Sequence, residues 1–293
     1  MSERTRAVAN GHSDRLTGQT AMVTGAGRGL GRAIAVNLAR EGAAVAAIAR
    51  TAAEVDETVA LIAGSGGRAT GIAMDVTDGR AVSRAVAEVR TSLGPVTLLV
   101  NNAGVITPLG PAWEVSADEW WGLMETNVRG PMNGAHAVLP AMTAARSGRI
   151  VNIVSGVGLR SVENMSAYAT SKAALIRLTE ALAMDAAASG VAVFAVDPGY
   201  LTTAMTEYLA YSDAGRRWTP LAASLFGTPD HVPVDWAAGL VATLATGVAD
   251  RLTGRFLTVW DDLDELVGRA DEIVAQDLYA MRLRPERTYP PAQ

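Results

Sequence analysis

Seven short apolar runs recur along the chain, and their spacing is what most constrains the fold. Longer stretches separate them, and the first of these carries apolar residues such as Ile34 and Leu38 at helical spacing. The run at 96–100 is apolar in nearly every position, which is typical of a strand covered on both faces. Alternating strands and helical crossovers predict a mostly parallel sheet with helices on both sides. The predicted strands are 20–24, 44–49, 71–74, 96–100, 149–154, 191–196 and 256–259.

Composition narrows the function classes. The net charge is -5 and no lysine/arginine run appears, so we expect no nucleic-acid partner. With no cysteine, disulfides, thiolate metal sites and a cysteine nucleophile are excluded. The histidines are scattered at His12, His136 and His231, so we expect no histidine metal site. No apolar run reaches the roughly 18 residues of a membrane helix, and the first residues lack a signal-peptide pattern. We therefore expect a cytoplasmic protein.

The chain of 293 residues fits one large α/β domain. We predict a flexible polar arm at 1–16, one Rossmann-type, doubly wound catalytic domain at 17–262, and a helical extension at 263–293. Helices are predicted at 31–42, 54–63 and 167–188. Another should begin at Ser116, where Ser-Ala-Asp-Glu has the form of a capping box, and continue past Pro131 with some distortion.

A glycine-rich segment lies between the first strand and the first helix. It reads TGxxxGxG, through Thr24, Gly25, Gly29 and Gly31. Glycines let the backbone approach a phosphate closely, and the N–H groups of the following helix can bind it. A glycine-rich turn without a ligand is the alternative. The spacing resembles that of the short-chain dehydrogenase/reductase family.

Further motifs follow in the order of that family, and the resemblance covers roughly residues 17–260. They are Asn101-Asn-Ala-Gly104, then Asn127, Ser155 and the YxxxK pair Tyr168 and Lys172. Positions i and i+4 share one helix face, so the Tyr168 and Lys172 side chains project together. A nearby lysine cation is expected to lower the phenol pKa, which suits a general acid/base.

The resemblance implies an NAD(P)-dependent oxidoreductase that interconverts a small carbonyl compound and an alcohol. Its catalytic residues would be Asn127, Ser155, Tyr168 and Lys172. Tyr168 would exchange the proton, Ser155 would polarise the substrate oxygen, and Lys172 would hold the nicotinamide ribose. Lys172, Asn127 and water would then resupply the proton. Two alternatives stay open: an epimerase or a C=N or C=C reductase of the same fold, and a non-catalytic dinucleotide-binding regulator.

The end of the second strand bears on the choice of cofactor. An NAD site usually has an acidic residue there, but this sequence has Ala49 followed by Arg50. No carboxylate is therefore expected to repel a 2′-phosphate, and Arg28 and Arg50 could clamp it. NADP(H) is expected, with NAD(H) possible. The expected cofactor-binding residues are Gly25, Arg28, Gly29, Leu30, Gly31, Arg50, Asp75, Val76, Asn102, Ala103, Gly104, Tyr168, Lys172, Pro198, Gly199 and Thr203.

The stretch at about 200–234 is expected to form a lid over an apolar or aromatic substrate, because apolar and aromatic side chains are frequent in it. The alternative is that these side chains only pack the lid itself. The extension at 263–293 should add a helix that covers a neighbouring subunit or borders the substrate entrance, or else packs on its own subunit. The resemblance implies a homotetramer or homodimer, formed through the helices of Asn127 and Tyr168. The substrate-contacting residues are predicted to be Val157, Leu159, Met165, Tyr200 and Tyr208.

Overall fold

Seven strands form one sheet in the computed structural model, which describes residues 14–225, 228 and 231–282. Every neighbouring pair is parallel, and the order is β3-β2-β1-β4-β5-β6-β7. This confirms the predicted seven-stranded, doubly wound sheet. The strands are β1 Thr20–Thr24, β2 Ala44–Ala49, β3 Ala69–Ala73, β4 Leu98–Asn101, β5 Gly148–Ile153, β6 Val191–Asp197 and β7 Phe256–Thr258.

Helices connect the strands. In chain order the α-helices are α1 Gly29–Arg40, α2 Ala52–Gly64, α3 Gly79–Ser92, α4 Ala117–Met124, α5 Gly130–Ala145, α6 Ser166–Ala186, α7 Ala204–Tyr211, α8 Asp213–Trp218, α9 Val234–Ala245, α10 Leu263–Gly268 and α11 Ala270–Ala275. Short 3-10 turns lie at Gly156–Leu159, Ala187–Ser189, Ala222–Leu225 and Asp250–Leu252.

Strand side chains alternate between two core layers, because successive residues of a strand point to opposite faces. In β1, Val23 packs with α1, α2 and α9, whereas Met22 packs with α3, α5 and α6. Both layers are rich in alanine and valine, and the small side chains let the helices lie close to the sheet. The central strands are therefore buried on both faces, and the connecting loops lie at the strand ends.

The helix that carries Asn127 differs from the prediction in two ways. Ser116 does precede α4, but its side chain makes no capping hydrogen bond, so no capping box forms. The predicted distortion lies before Pro131, as a π-helical turn at Glu125–Arg129 that joins α4 to α5. Pro131 has no N–H to donate to the Asn127 carbonyl, as an α-helix would require at this point. Such π-turns are frequent at functional sites.

The two ends of the described chain both pack on the domain. Residues 1–13 of the predicted arm lie outside the described residues, but Arg15 forms two hydrogen bonds with the buried Glu41, each 2.8 Å long. In the extension, Leu266 and Ile273 enter the core of their own subunit. The Phe256 N–H also donates to the Tyr279 carbonyl, so the tail runs along the outer edge of β7. Residues 283–293 lie outside the described part.

Candidate active site

One large cavity opens at the carboxyl ends of the strands. The strand order reverses between β1 and β4, and open α/β sheets bind ligands at such a switch point. The cavity has a volume of about 1170 Å³. All sixteen residues predicted to bind the cofactor line it, as do Ser155, Tyr168 and Lys172, whereas Asn127 does not.

The glycine segment forms the phosphate end of this cavity. Gly25 and Gly29 have φ angles of +66° and +53°, which favour glycine. A Cβ on Gly31 would lie 2.1 Å from the Gly25 carbonyl oxygen, so no other residue fits there without moving the loop. The N-cap residue of α1, Arg28, makes no side-chain capping hydrogen bond. The first N–H groups of a twelve-residue helix thus face a cradle of the kind that holds a pyrophosphate.

Two side chains hold this cradle against the neighbouring strand loop. The Thr24 hydroxyl accepts hydrogen bonds from the N–H groups of Asn102 and Ala103, at 3.0 and 3.1 Å. The Asn102 side chain donates to the carbonyl oxygens of Thr24 and Gly25, at 2.9 and 3.3 Å. These hydrogen bonds join the loops after β1 and β4. The glycine-rich segment and the Asn101–Gly104 motif are thereby held against each other.

The end expected to hold the 2′-phosphate contains a carboxylate that the sequence reasoning missed. Arg28 and Arg50 line the cavity as predicted, but Glu54 lines it with them. Arg28 Nη1 lies 3.8 Å from Glu54 Oε1. The expectation that no carboxylate lies here is therefore wrong. It considered only the end of β2, whereas Glu54 comes from the first turn of α2.

The catalytic end brings three predicted side chains together. The Ser155 side chain acts on the Tyr168 phenol as a hydrogen-bonding partner. Tyr168 and Lys172 are one turn apart on α6, and Lys172 Nζ lies 5.6 Å from the centroid of the Tyr168 ring. Lys172 Nζ donates to the Ile153 carbonyl at 2.8 Å, which fixes the lysine at the end of β5. Both the Tyr168 and Lys172 side chains are buried.

The protonation of this pair differs from the sequence expectation. Burial raises the pKa of Tyr168 to about 12; the Ser155 hydrogen bond opposes this rise, and the Asp197 charge adds to it. Burial lowers the pKa of Lys172 to about 8, against the opposing effect of Asp197. The expected lowering of the phenol pKa is not seen in this structure, where desolvation of the phenolate has the largest effect and raises that pKa. At neutral pH Tyr168 holds its proton.

The Asn127 side chain is buried and hydrogen-bonded to neighbouring loop and helix residues. Its amide oxygen accepts from the Val105 N–H at 2.9 Å. Its amide nitrogen donates to the Val105 carbonyl at 2.9 Å and to the Ser171 hydroxyl at 3.0 Å. The side chain thereby ties the loop after β4 to α6. Its bonds brace the site and leave no direct contact with the Tyr168 hydroxyl.

The substrate end is mostly apolar, and three of its five predicted residues line it: Val157, Met165 and Tyr200. Leu159 does not line it, because it ends the 3-10 turn after Ser155 and is 50% exposed. Tyr208 does not line it either, because α7 turns Met205 and Leu209 toward the cavity and leaves Tyr208 on another face. A substrate contact by Leu159 or Tyr208 stays a prediction. The lid position Phe226 lies outside the described residues.

Two charged lining residues were given no role in the sequence analysis. Asp197 and Arg160 bring charge to the cavity. The Asp-Pro-Gly sequence at the end of β6 was the one signal for Asp197. Further lining residues come from the loops after β4 and β5 and from the lid: Ile106, Val162, Leu209, Trp218, Leu221 and Ala222.

Two searches of the described residues gave negative results. No group of three or more histidine, aspartate or glutamate side chains in 14–225, 228 and 231–282 is placed to hold a metal ion. No helix within that same part is long and apolar enough to cross a membrane.

Comparison with known proteins decides the family. The family model for the short chain dehydrogenase matches residues 19–213. The chain belongs to this family. The match includes the glycine cradle, Asn127, Ser155, Tyr168 and Lys172, and it ends within the lid.

Individual short-chain dehydrogenases extend the match. A short chain dehydrogenase of Pseudocercospora fijiensis is 40% identical over 187 residues, which span 63% of this chain and 60% of that protein. The 2-(S)-hydroxypropyl-CoM dehydrogenase 3 of Xanthobacter autotrophicus is 34% identical over 83% of this chain and 98% of its own length. A gluconate 5-dehydrogenase of Burkholderia cenocepacia, solved with NADP and tartrate, is 30% identical, with a TM-score of 0.76 over 87% of this chain and 98% of that one.

Proposed function

We propose that this short-chain dehydrogenase is an NADP-preferring oxidoreductase that interconverts a ketone or aldehyde and an alcohol, with Tyr168 as its acid/base. The observation that carries the proposal is the meeting of the Ser155 and Tyr168 hydroxyls beside Lys172, in the cavity that also contains the glycine cradle. The bound NADP of the Burkholderia cenocepacia structure supports the choice of cofactor class.

A bound nicotinamide would supply the hydride in reduction and accept it in oxidation. Tyr168 is protonated at neutral pH, since burial raises its pKa to about 12, and it can give that proton to the oxygen of a reduced carbonyl group. Ser155 can donate to the same oxygen as negative charge develops there. Lys172 faces the same cavity with three donors on Nζ, one of which is used by Ile153.

NADP preference rests on Arg28 and Arg50, whose guanidinium groups can form charge-assisted hydrogen bonds with a 2′-phosphate. Arg28 is 70% exposed and its contact with Glu54 is loose, so it can turn toward a phosphate. No ion pair to Arg50 occurs within the described part of the chain. We therefore assign Arg50 the larger share of the preference.

The substrate proposed is a largely apolar or aromatic carbonyl compound or alcohol. Leu209, Trp218 and Leu221 of the lid face Val157 and Met165 across the catalytic end of the cavity, and these side chains support that choice. Arg160 and Glu163 line the same cavity, so the substrate can carry one polar group that binds to them.

We further propose a cytoplasmic homotetramer or homodimer that pairs through α4 and α6. Trp121 on α4 is 60% exposed and Met184 on α6 is 79% exposed, which supports an interface on these helices. Light scattering on the purified protein should give the mass of two or four chains; a monomer at micromolar concentration would contradict this part of the proposal.

The activity is tested on the purified wild-type chain. NADPH and NADH binding are measured by fluorescence titration, and oxidation of each is then followed with ketones, aldehydes, imines and enones. We expect tighter binding of NADPH and turnover with carbonyl compounds. Turnover with imines or enones alone would indicate the other reductases of this fold. Binding without turnover on any of them would favour a dinucleotide-binding regulator and contradict the proposal.

A further inference from the structure

Asp197 is a charged residue of the cavity to which the proposed chemistry gives no task. It is the last residue of β6 and directly precedes the Pro198-Gly199 turn. Its side chain is half-buried and lines the cavity near Tyr168 and Lys172. A carboxylate in such a place is costly unless hydrogen bonds or opposite charges compensate for the lost water.

Two backbone donors provide that compensation, one for each carboxylate oxygen. The Gly156 N–H donates to Oδ2 at 2.9 Å, and the Gly199 N–H donates to Oδ1 at 3.1 Å. Gly156 follows Ser155 in the chain, and Gly199 has a φ of +75° in the turn after β6. A single side chain thus joins the loop that carries Ser155 to the turn that borders the cofactor end.

The charges that face Asp197 come from two elements. Lys172 on α6 and Arg160 on the loop after Ser155 both stabilise its charged form, and Tyr168 on α6 feels its negative charge. On the β7 side, its register partner is the neutral Thr258. Burial raises the pKa of Asp197, whereas the two N–H donors and both cations lower it.

We propose that Asp197 is a positioning residue of the active site. It holds Ser155 and the Pro198-Gly199 turn in place relative to each other, and its charge acts on Tyr168 and Lys172. The inference rests on the proposed function. The position of Ser155 relative to the Tyr168 hydroxyl depends on the loop that Asp197 holds. The charge of Asp197 favours the protonated form of both Tyr168 and Lys172.

The sign of the charge effect can be stated in advance. Without the negative charge the phenolate is easier to form, so the pKa of Tyr168 falls. Alcohol oxidation needs the phenolate as base, so its rate should rise at lower pH in a neutral variant. Carbonyl reduction uses the protonated phenol, so it does not gain from a lower pKa of Tyr168. It should lose activity because Ser155 is misplaced.

The test compares wild type with Asp197→Asn, which keeps the side-chain shape and one hydrogen-bond acceptor but removes the charge. We expect kcat for carbonyl reduction to fall about 10-fold or more and KM to change less. The rising limb of the alcohol-oxidation profile should move to lower pH by at least about half a unit, and the Kd for NADPH should rise a few-fold. Asp261→Asn is the matched control, because Asp261 also accepts a backbone N–H but lies outside the cavity lining.

An Asp197→Asn variant with wild-type kcat, pH profile and NADPH affinity would overturn the inference. A lower kcat with an unmoved pH profile would overturn the charge effect. Thermal melting checks the fold, and if Asp197→Asn unfolds, Asp197→Ser takes its place with the same expected shifts. If the wild type itself has no turnover, the proposed function fails. The NADPH affinity of Asp197→Asn and Asp197→Ser then still tests whether Asp197 holds the Pro198-Gly199 turn.

Discussion

The two ends of the cavity are built in different ways. At the phosphate end, the ligand-facing groups are mainly backbone N–H groups and glycines from one contiguous segment, Gly25 to Gly31. At the catalytic end, they are side chains from separate segments: Ser155 after β5, Tyr168 and Lys172 on α6, and Asp197 at the end of β6. The first end is defined by the shape of the chain, the second by the chemistry of its side chains.

This difference predicts two kinds of failure. An added atom at the phosphate end should weaken cofactor binding strongly, because the backbone cannot move away without disturbing the hydrogen bonds of Thr24 and Asn102. A changed functional group at the catalytic end should slow the reaction far more than it weakens cofactor binding. Substitutions at the two ends can therefore be separated by measuring binding and turnover on the same variants.

The largest effect on binding is expected for Gly31→Ala. Its Cβ would lie 2.1 Å from the Gly25 carbonyl oxygen, and relieving that overlap must distort the cradle. We expect NADPH affinity to fall by at least about 3 kcal/mol, or about 150-fold or more, as measured by fluorescence titration. Gly64→Ala is the matched control, since no atom lies within 4 Å of its added Cβ, and it should bind NADPH as the wild type does.

Wild-type NADPH affinity in Gly31→Ala would contradict the contrast between the two ends of the cavity, because the glycine cradle would then not be the phosphate site. The melting temperature should be recorded with the affinity. If both Gly31→Ala and Gly64→Ala bind normally, the cofactor lies elsewhere in the cavity.

A smaller and more selective effect is expected for Arg50→Ala. Charge-assisted hydrogen bonds to a 2′-phosphate contribute about 1.5–3 kcal/mol, so NADPH affinity should fall about 10- to 150-fold. NADH carries no 2′-phosphate, and its affinity should stay within about 2-fold. Arg40→Ala removes the same charge from the exposed end of α1, outside the cavity, and should affect neither cofactor.

Equal loss of NADPH and NADH affinity in Arg50→Ala would show that Arg50 shapes the pocket without selecting the phosphate. If Arg50→Ala keeps the wild-type NADPH affinity, Arg28 would be the residue that binds the 2′-phosphate, and the nearby Glu54 would weaken that binding. Either outcome would sharpen the account of how the exposed end of the phosphate site recognises its ligand.

The phosphate end was the easier of the two to predict from sequence. Its motif is contiguous, and strand β1, the turn and α1 follow each other directly, so local rules place Gly25, Gly29 and Gly31. The pairing of Tyr168 with Lys172 was equally local, because it depends on one helical turn. Most strands were found at nearly their observed bounds because they are short apolar runs buried on both faces, whereas the partly exposed β3 begins two residues earlier than predicted.

What the sequence could not predict depends on tertiary placement. Glu54 reaches the phosphate end from the next helix, and Asp197 joins two loops that meet only in the folded sheet. Leu159 and Tyr208 were assigned to the substrate wall by residue type, but the direction of their backbone segments turns them away. The phenol pKa depends on burial, which the YxxxK spacing does not reveal.

Tyr168→Phe tests the central claim most directly. NADPH oxidation with a carbonyl substrate accepted by the wild type is compared in wild type, Tyr168→Phe and the control Tyr211→Phe, whose ring is largely exposed and outside the cavity lining. The account predicts a fall of roughly 10²- to 10⁴-fold in kcat for Tyr168→Phe. It also predicts NADPH affinity within about 2-fold of wild type and an unchanged Tyr211→Phe. Wild-type turnover in Tyr168→Phe would contradict the assignment of Tyr168 as the acid/base.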